Sequence, residues 1–174
     1  MTMIKVQLVN PKDEPIGSME KLEAHQKGLL HRAISVFIFN SKSEMLLQRR
    51  ALEKYHSPGL WTNTCCSHPF PMEVPEQAAL RRLKEEMNIE SKLNFAFKFS
   101  YKTEFPNGLI ENELDHVFIG RSDETPHLNT DEAVAFKWVD LNDLKKDIKK
   151  HPENYTVWFK IIIEKHLNQL VTHL

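Results

Sequence analysis

Cys66 and His68 stand two residues apart in the stretch Thr-Asn-Thr-Cys-Cys-Ser-His-Pro, residues 62–69. On an extended backbone that spacing turns both side chains to one side. A thiol there would work beside an ion held by the imidazole. His25 and His31 lie near turns or element ends, and Glu111 and Glu113 alternate along an expected strand, so the two carboxylates face one way. Three imidazoles and two carboxylates suit Mn²⁺, Mg²⁺ or Zn²⁺ in an expanded shell, with the nitrogen content leaning toward the transition metals. Asp115 shares the parity of Glu113, so parity alone does not separate it from them. A lone histidine is more often solvated or hydrogen-bonded than metal-bound. His56, His116, His127, His151, His166 and His173 stand in no comparable arrangement.

A second group of residues suits phosphate chemistry. Arg82 and Glu86 are four apart on an expected helix and share one side of it. The arginine there can meet a phosphate oxygen and the glutamate a divalent ion bridging phosphates. The plainer alternative is an ion pair on the surface, worth a few tenths of a kcal/mol. Arg49, Arg50, Lys54 and Lys21 supply further cations, for which solubilising surface charge is the default reading.

The elements that must carry these groups follow from periodicity. Residues 6–9, 34–39 and 45–47 read as strands, with a hairpin turn over 40–44. Residues 52–75, punctuated by Pro58-Gly59, Pro69, Pro71 and Pro75, read as a functional loop. Residues 76–87 read as a helix with Leu80, Leu83 and Met87 on one face and Glu76 favouring its amino end. Phe95, Phe97, Phe99 and Tyr101 alternate in an expected strand over 93–103, and a Pro106-Asn107-Gly108 turn leads into another over 113–120. A further strand over 134–139 and helices over 141–149 and 155–170 complete an α+β or layered α/β domain.

Composition bounds the function. The chain of 174 residues, 41% hydrophobic, is long enough for one compact domain spanning 1–174 with a sizeable core. No apolar run approaches the roughly 20 residues of a membrane span, and the first thirty residues lack a signal peptide's apolar region. The expectation is a cytoplasmic protein without stable membrane association. Lys+Arg total 23 and Asp+Glu 24, a formal charge of -1, so no global field gathers a nucleic acid. The two cysteines are neighbours, which favours reduced thiols over a framework disulfide. A monomer is expected, with a dimer compatible.

Residues 67–89 resemble the Nudix motif of a loop and helix that bind magnesium and a diphosphate. Glu73, Arg81, Glu85 and Glu86 keep its spacing, while Ser67 and Asn88 stand in place of glycines and Arg82 in place of an acid. The wider set of motifs resembles the type I isopentenyl-diphosphate isomerases over nearly the whole chain. It comprises Lys21-Leu22-Glu23-Ala24-His25, Arg49-Arg50-Ala51-Leu52, residues 61–69 and Glu111-Asn112-Glu113. That resemblance implies a Nudix-like mixed-sheet sandwich flanked by helices, an α/β (α+β) fold whose chemistry is proton transfer instead of hydrolysis. Isopentenyl diphosphate and dimethylallyl diphosphate would be its small-molecule substrate and product.

The resemblance also implies roles. His25, His31, His68, Glu111 and Glu113 match the ligands of one divalent metal, and Glu86 matches a ligand of Mg²⁺ on the substrate diphosphate, with a backbone carbonyl near Cys66. Lys21, Arg50, Lys54 and Arg82 match anion-binding positions. Cys66 and Glu113 match the groups on the two faces of the allylic unit, with Tyr101 assisting the glutamate. Trp158 matches an indole facing the electron-deficient centre, where a desolvated cation–π contact reaches about 2 kcal/mol. Free thiols titrate near 8.5 and glutamates near 4.3, roughly, so metal charge, hydrogen bonds and dryness must bring both proton-transfer states within reach. Cys65 is expected to pack inertly and Trp61 to shape the loop wall. Two other functions share parts of this pattern: a Nudix diphosphate hydrolase, and a metal-stabilised domain that binds phosphorylated ligands without turning them over.

Overall fold

The computed structural model describes residues 4–173. Two strands form its centre: β3 (His31–Phe39) and β8 (Ile110–Arg121) pair in parallel, with His31 opposite Glu113 and Phe37 opposite Ile119. Around them run β1 (Lys5–Val9) and β2 (Pro15–Glu20), β4 (Met45–Arg50), β5 (Trp61–Thr62), β6 (Cys65–Ser67), β7 (Asn94–Glu104) and β9 (Ala133–Val139), in one mixed sheet of nine strands. The expected hairpin pairing of β7 with β8 is present and antiparallel.

Alternation along the central pair divides the core. Ile34, Val36, Ile38 and Phe118 face one layer, where Ala79, Leu83 and Met87 of α2 (Pro75–Met87) cover them. Phe37, Phe39, Val117 and Ile119 face the other, covered by Trp158, Phe159, Ile162 and Leu170 from the carboxyl-terminal helices. Each fully buried side chain of this kind contributes about 1.5–3 kcal/mol. Helix α2 starts with Pro75 in its first turn and ends on Asn88 at φ 53, a left-handed conformation that asparagine tolerates. The replaced glycine of the motif therefore costs the cap little. Leu80 is exposed, contrary to expectation, and Ala79 and Glu86 lie on the buried face instead.

Other departures have local causes. A bulge between Phe95 and Phe97 breaks the aromatic alternation, so Phe95 pairs with Phe118 and is half exposed while Phe97 and Tyr101 are buried. The segment read as a loop over 52–75 contains β5 and β6, which are too short to show a period. The terminal helix is α4 (Val157–Ile161) and α5 (Leu167–Val171) joined by a π turn, Ile162–His166, and it follows α3 (Leu141–Lys150) and a short 3₁₀ turn. Strand β2 and helix α1 (Lys21–Lys27) were not expected from periodicity.

The β1–β2 hairpin is tied down by one carboxylate. Asp13, at φ 70 in the turn, accepts from Arg32 Nε (2.7 Å), Lys98 Nζ (3.1 Å) and His116 Nε2 (2.9 Å). Burial would raise its pKa, but these three partners together hold it below the usual aspartate value. Because the folded value is depressed, the stabilisation is present above the unfolded pKa of about 4 and is lost as pH falls through the folded one. Asp13→Asn is expected to cost about 1 kcal/mol at pH 7, and the difference from the parent should shrink at acidic pH. Urea unfolding of both proteins at pH 7 and in acid measures this.

Candidate active site

The site opens where an apolar face turns polar. Reading β8 backward on one face, Ile119 and Val117 give way to Asp115, Glu113 and Glu111; on β3 the matching face runs Phe39, Phe37, Ser35, Ala33, His31. The layer that packs the terminal helices at one end of the strands thus becomes a cavity at the other. Cys66, His68, Arg50, Lys21, His56, Tyr101 and Trp158 complete its wall.

Strand β6 is aimed by buried polar side chains. Cys66 lies opposite Ser35, so it shares the cavity face, while Cys65 opposite Val36 is sealed in the α2 layer. Thr64 Oγ1 accepts from Ile38 N (2.9 Å) and donates to Leu46 O (2.8 Å), bridging β3 and β4, which pair directly only at Phe39 and Met45. Asn63 Nδ2 donates to Cys65 O (2.7 Å) and Val36 O (3.2 Å). The residues flanking the cysteines are therefore scaffold: they satisfy backbone groups that an inserted strand leaves unpaired.

Helix α1 delivers His25. Its capping Gly28 has φ 60, and a Cβ there would meet Ile110 at 3.0 Å. Asn112, facing away from the cavity between the two inward glutamates, donates to Gly28 O (2.9 Å) and so docks the helix end on β8. His25 Nδ1 lies 2.7 Å from Lys21 O and His31 Nδ1 2.8 Å from Leu29 O. A carbonyl only accepts, so both Nδ1 atoms carry hydrogen and both Nε2 lone pairs point into the cavity, the arrangement of ligating histidines.

Ligand atoms of His25, His31, His68 and Glu113 lie within 4.8 Å of one another. His68 Nε2 is 2.7 Å from Glu113 Oε1 and 3.2 Å from His31 Nε2. Atoms each about 2.1 Å from one ion and at right angles to each other stand about 3 Å apart, so this set fits a divalent metal. Glu111 Oε1 lies 3.7 Å from His25 Nε2. The Tyr101 hydroxyl holds the other oxygens, 2.9 Å from Glu111 Oε2 and 2.6 Å from Glu113 Oε2.

The electrostatics agree with that fit. Burial raises the Glu113 carboxyl, yet His31 and His68 hold it well below the usual range. Burial and Glu113 push Glu111 up, but His25 and His56 leave it lowered. Burial takes His68 down to about 3 against the pull of Glu113, so it stays neutral, as a ligand must. Burial also lowers His25, but Glu111 and Glu113 outweigh it and the net shift is upward. Burial, then Glu113, lifts Asp115 to about 8, and it accepts from Ser35 Oγ at 2.7 Å. Asp115 is thus a cavity residue outside the ligand cluster.

Burial pushes the Cys66 thiol up to about 12, with Arg50 opposing and Glu86 and Glu113 adding to the rise. Arg50 approaches Cys66 Sγ at 3.8 Å and covers the Trp158 ring at 5.3 Å. Lys21 is lowered by burial and then by Lys54, Arg50 and Arg82, with Glu111 opposing. Lys54, Arg82 and Glu86 do not line the cavity. Glu132, which no sequence spacing indicated, pairs with Lys54 (2.5 Å) and Arg82 (3.0 Å). Arg82 also pairs with Glu86 at 2.8 Å, and Gln48 Nε2 donates to Glu86 at the same distance. Glu86 is buried, so the pair is not the surface contact that spacing alone allowed. Trp61 lies on β5 beneath Lys137, 4.4 Å from its ring, and does not line the cavity.

This fold and site define a class. The NUDIX domain family matches residues 29–159. Crystal structures of a protein from Deinococcus radiodurans (22% identity, TM-score 0.70, covering 84% of this chain and 89% of that one) and of a MutT protein from Methanosarcina mazei (21%, 0.64, 78% and 91%) share the fold. Sequence relatives are much nearer. The isopentenyl-diphosphate Delta-isomerase 2 of Aromatoleum aromaticum is 53% identical over 92% of this chain and 85% of its own length. Its counterpart in Photorhabdus laumondii is 54% identical over 90% and 88%, respectively. The chain belongs to the isopentenyl-diphosphate Delta-isomerase family of Nudix-fold proteins.

Proposed function

We propose that the chain interconverts isopentenyl diphosphate and dimethylallyl diphosphate, an isomerisation by protonation and deprotonation. The carrying observation is a thiol and a carboxylate in one cavity with opposite proton affinities: Cys66 is raised to about 12 and Glu113 is held well below its usual range. At neutral pH the pair therefore rests with a proton on sulfur and none on Glu113.

Moving the double bond adds a proton to the terminal alkene carbon and removes one from the carbon next to the diphosphate-bearing methylene. Two groups on separate walls do this without one proton crossing the substrate, and their roles exchange with the direction of reaction. Trp158 would lend its π face to the electron-deficient carbon between the two events. Tyr101, whose single hydroxyl hydrogen is shared between Glu113 Oε2 (2.6 Å) and Glu111 Oε2 (2.9 Å), would fix the Glu113 carboxylate as it gains or loses a proton.

His25, His31, His68, Glu111 and Glu113 would hold one divalent ion, of a transition type by its nitrogen content. When bound, that ion supplies positive charge that stabilises the paired carboxylates and orients Glu113. Lys21, Arg50, Lys54 and Arg82 would receive the diphosphate, with Glu86 binding the accompanying Mg²⁺ as Arg82 exchanges a carboxylate partner for phosphate oxygen.

Nudix hydrolysis is the competing reading. Glu73, Arg81, Glu85 and Glu86 keep the spacing it requires. Against it, Arg82 puts a cation where the hydrolytic motif carries an acid, pairing with Glu86 (2.8 Å) and Glu132 (3.0 Å), and the loop holds Cys66 and His68. Incubating the metal-loaded protein with isopentenyl diphosphate should yield allylic diphosphate with both phosphates still linked. Release of phosphate would favour hydrolysis, and binding without turnover would favour a recognition domain.

A further inference from the structure

In sequence His56 stands in no arrangement comparable to the candidate ligands, 55 and 57 residues before Glu111 and Glu113. It is nonetheless buried in the cavity wall, with Nε2 3.0 Å from Glu111 Oε1. An ionised carboxylate only accepts, so that nitrogen carries the hydrogen and Nδ1 is bare. His25 and His31 carry the opposite tautomer, with bare Nε2 atoms pointing into the centre. Ligand atoms within 4.8 Å of one another join His56 with His25 and Glu111, beside the set of His25, His31, His68 and Glu113.

The ring is set as firmly as its donor. It stacks on Phe105 (centroids 5.2 Å apart, 20° between planes) and meets the Trp158 indole edge-on (5.8 Å, 81°). Its peptide is fixed from both sides, since Arg50 donates to His56 O (3.3 Å) and Ser57 O (3.2 Å) and Asn107 donates to Tyr55 O (3.0 Å).

We propose that His56 is a positioning residue of the isomerase centre, donating its Nε2 hydrogen to Glu111 and bracing the Trp158 indole with its ring. It rests on the proposed metal centre, and it connects a metal-binding carboxylate to the wall that faces the developing cation. Groups that orient metal ligands in this way change affinity or activity by about 10- to 100-fold when removed.

The test is the divalent-ion affinity of the parent, His56→Phe, His56→Gln and His56→Asn, measured by competition with a chromophoric chelator, together with kcat and KM on isopentenyl diphosphate. His56→Phe keeps the ring and loses the donor, so affinity should fall about tenfold and kcat should fall with KM little changed. The glutamine amide reaches the same oxygen and should restore most of the affinity, whereas the shorter asparagine should not. Parent-like affinity in His56→Phe, or glutamine no better than asparagine, would overturn the assignment even if one variant folds poorly. A parent that binds no ion would instead overturn the metal centre itself, and this inference with it.

Discussion

Cys66→Ala is expected to lower isomerisation by about 10²- to 10⁴-fold, the usual scale for a positioned acid or base, with metal content and thermal midpoint unchanged. The separation of effects follows from where the sulfur lies. It is on the cavity face of a strand fixed by Thr64 and Asn63, so its removal leaves those bonds in place. It also lies outside the four-residue ligand cluster. Burial keeps the thiol protonated, and the alanine variant offers no exchangeable proton at that wall. Full activity in a folded, metal-loaded variant would remove Cys66 from the mechanism.

Glu113→Gln should damage two functions together. The glutamate sits 2.7 Å from His68, 3.5 Å from His31 and 2.6 Å from Tyr101. An amide there removes a charge from the ion-binding cluster and leaves no anion to take the proton. Metal content after gel filtration should drop, and activity should fall at least as far as in the cysteine variant, about 10³-fold or more, even with metal in excess. The contrast is diagnostic, because Cys66→Ala separates turnover from metal binding and Glu113→Gln does not. Parent-like turnover in the glutamine variant with excess metal would contradict the proton-transfer role.

The sequence made legible those features that repeat or that carry charge at a readable interval. Apolar clustering marked β3, the Pro106-Asn107-Gly108 turn marked the way into β8, and an amphipathic period marked α2. The Glu111-Asn112-Glu113 spacing put both carboxylates on the face where the structure places them. Strand β2 escaped because its residues are mostly exposed and show no alternation, and α1 because seven residues barely complete two turns. Leu80 was placed inward by spacing alone, whereas the buried Arg82–Glu86 pair and Glu132 organise that side of α2. His56 had no readable signal, since tertiary folding alone brings a proline-flanked loop against β8. Its one local hint is a histidine between Lys54 and Pro58-Gly59, in a segment already basic at Arg49 and Arg50.

The most direct test of the central claim follows hydrogen itself. The metal-loaded protein is given isopentenyl diphosphate in deuterated water and the products are read by nuclear magnetic resonance. The account predicts deuterium in the newly formed methyl group of dimethylallyl diphosphate and, in the reverse direction, at the carbon next to the diphosphate-bearing methylene, with both incorporations lost in Cys66→Ala and Glu113→Gln. Dimethylallyl diphosphate formed without deuterium, or incorporation that persists in either variant, would contradict proton transfer by this pair.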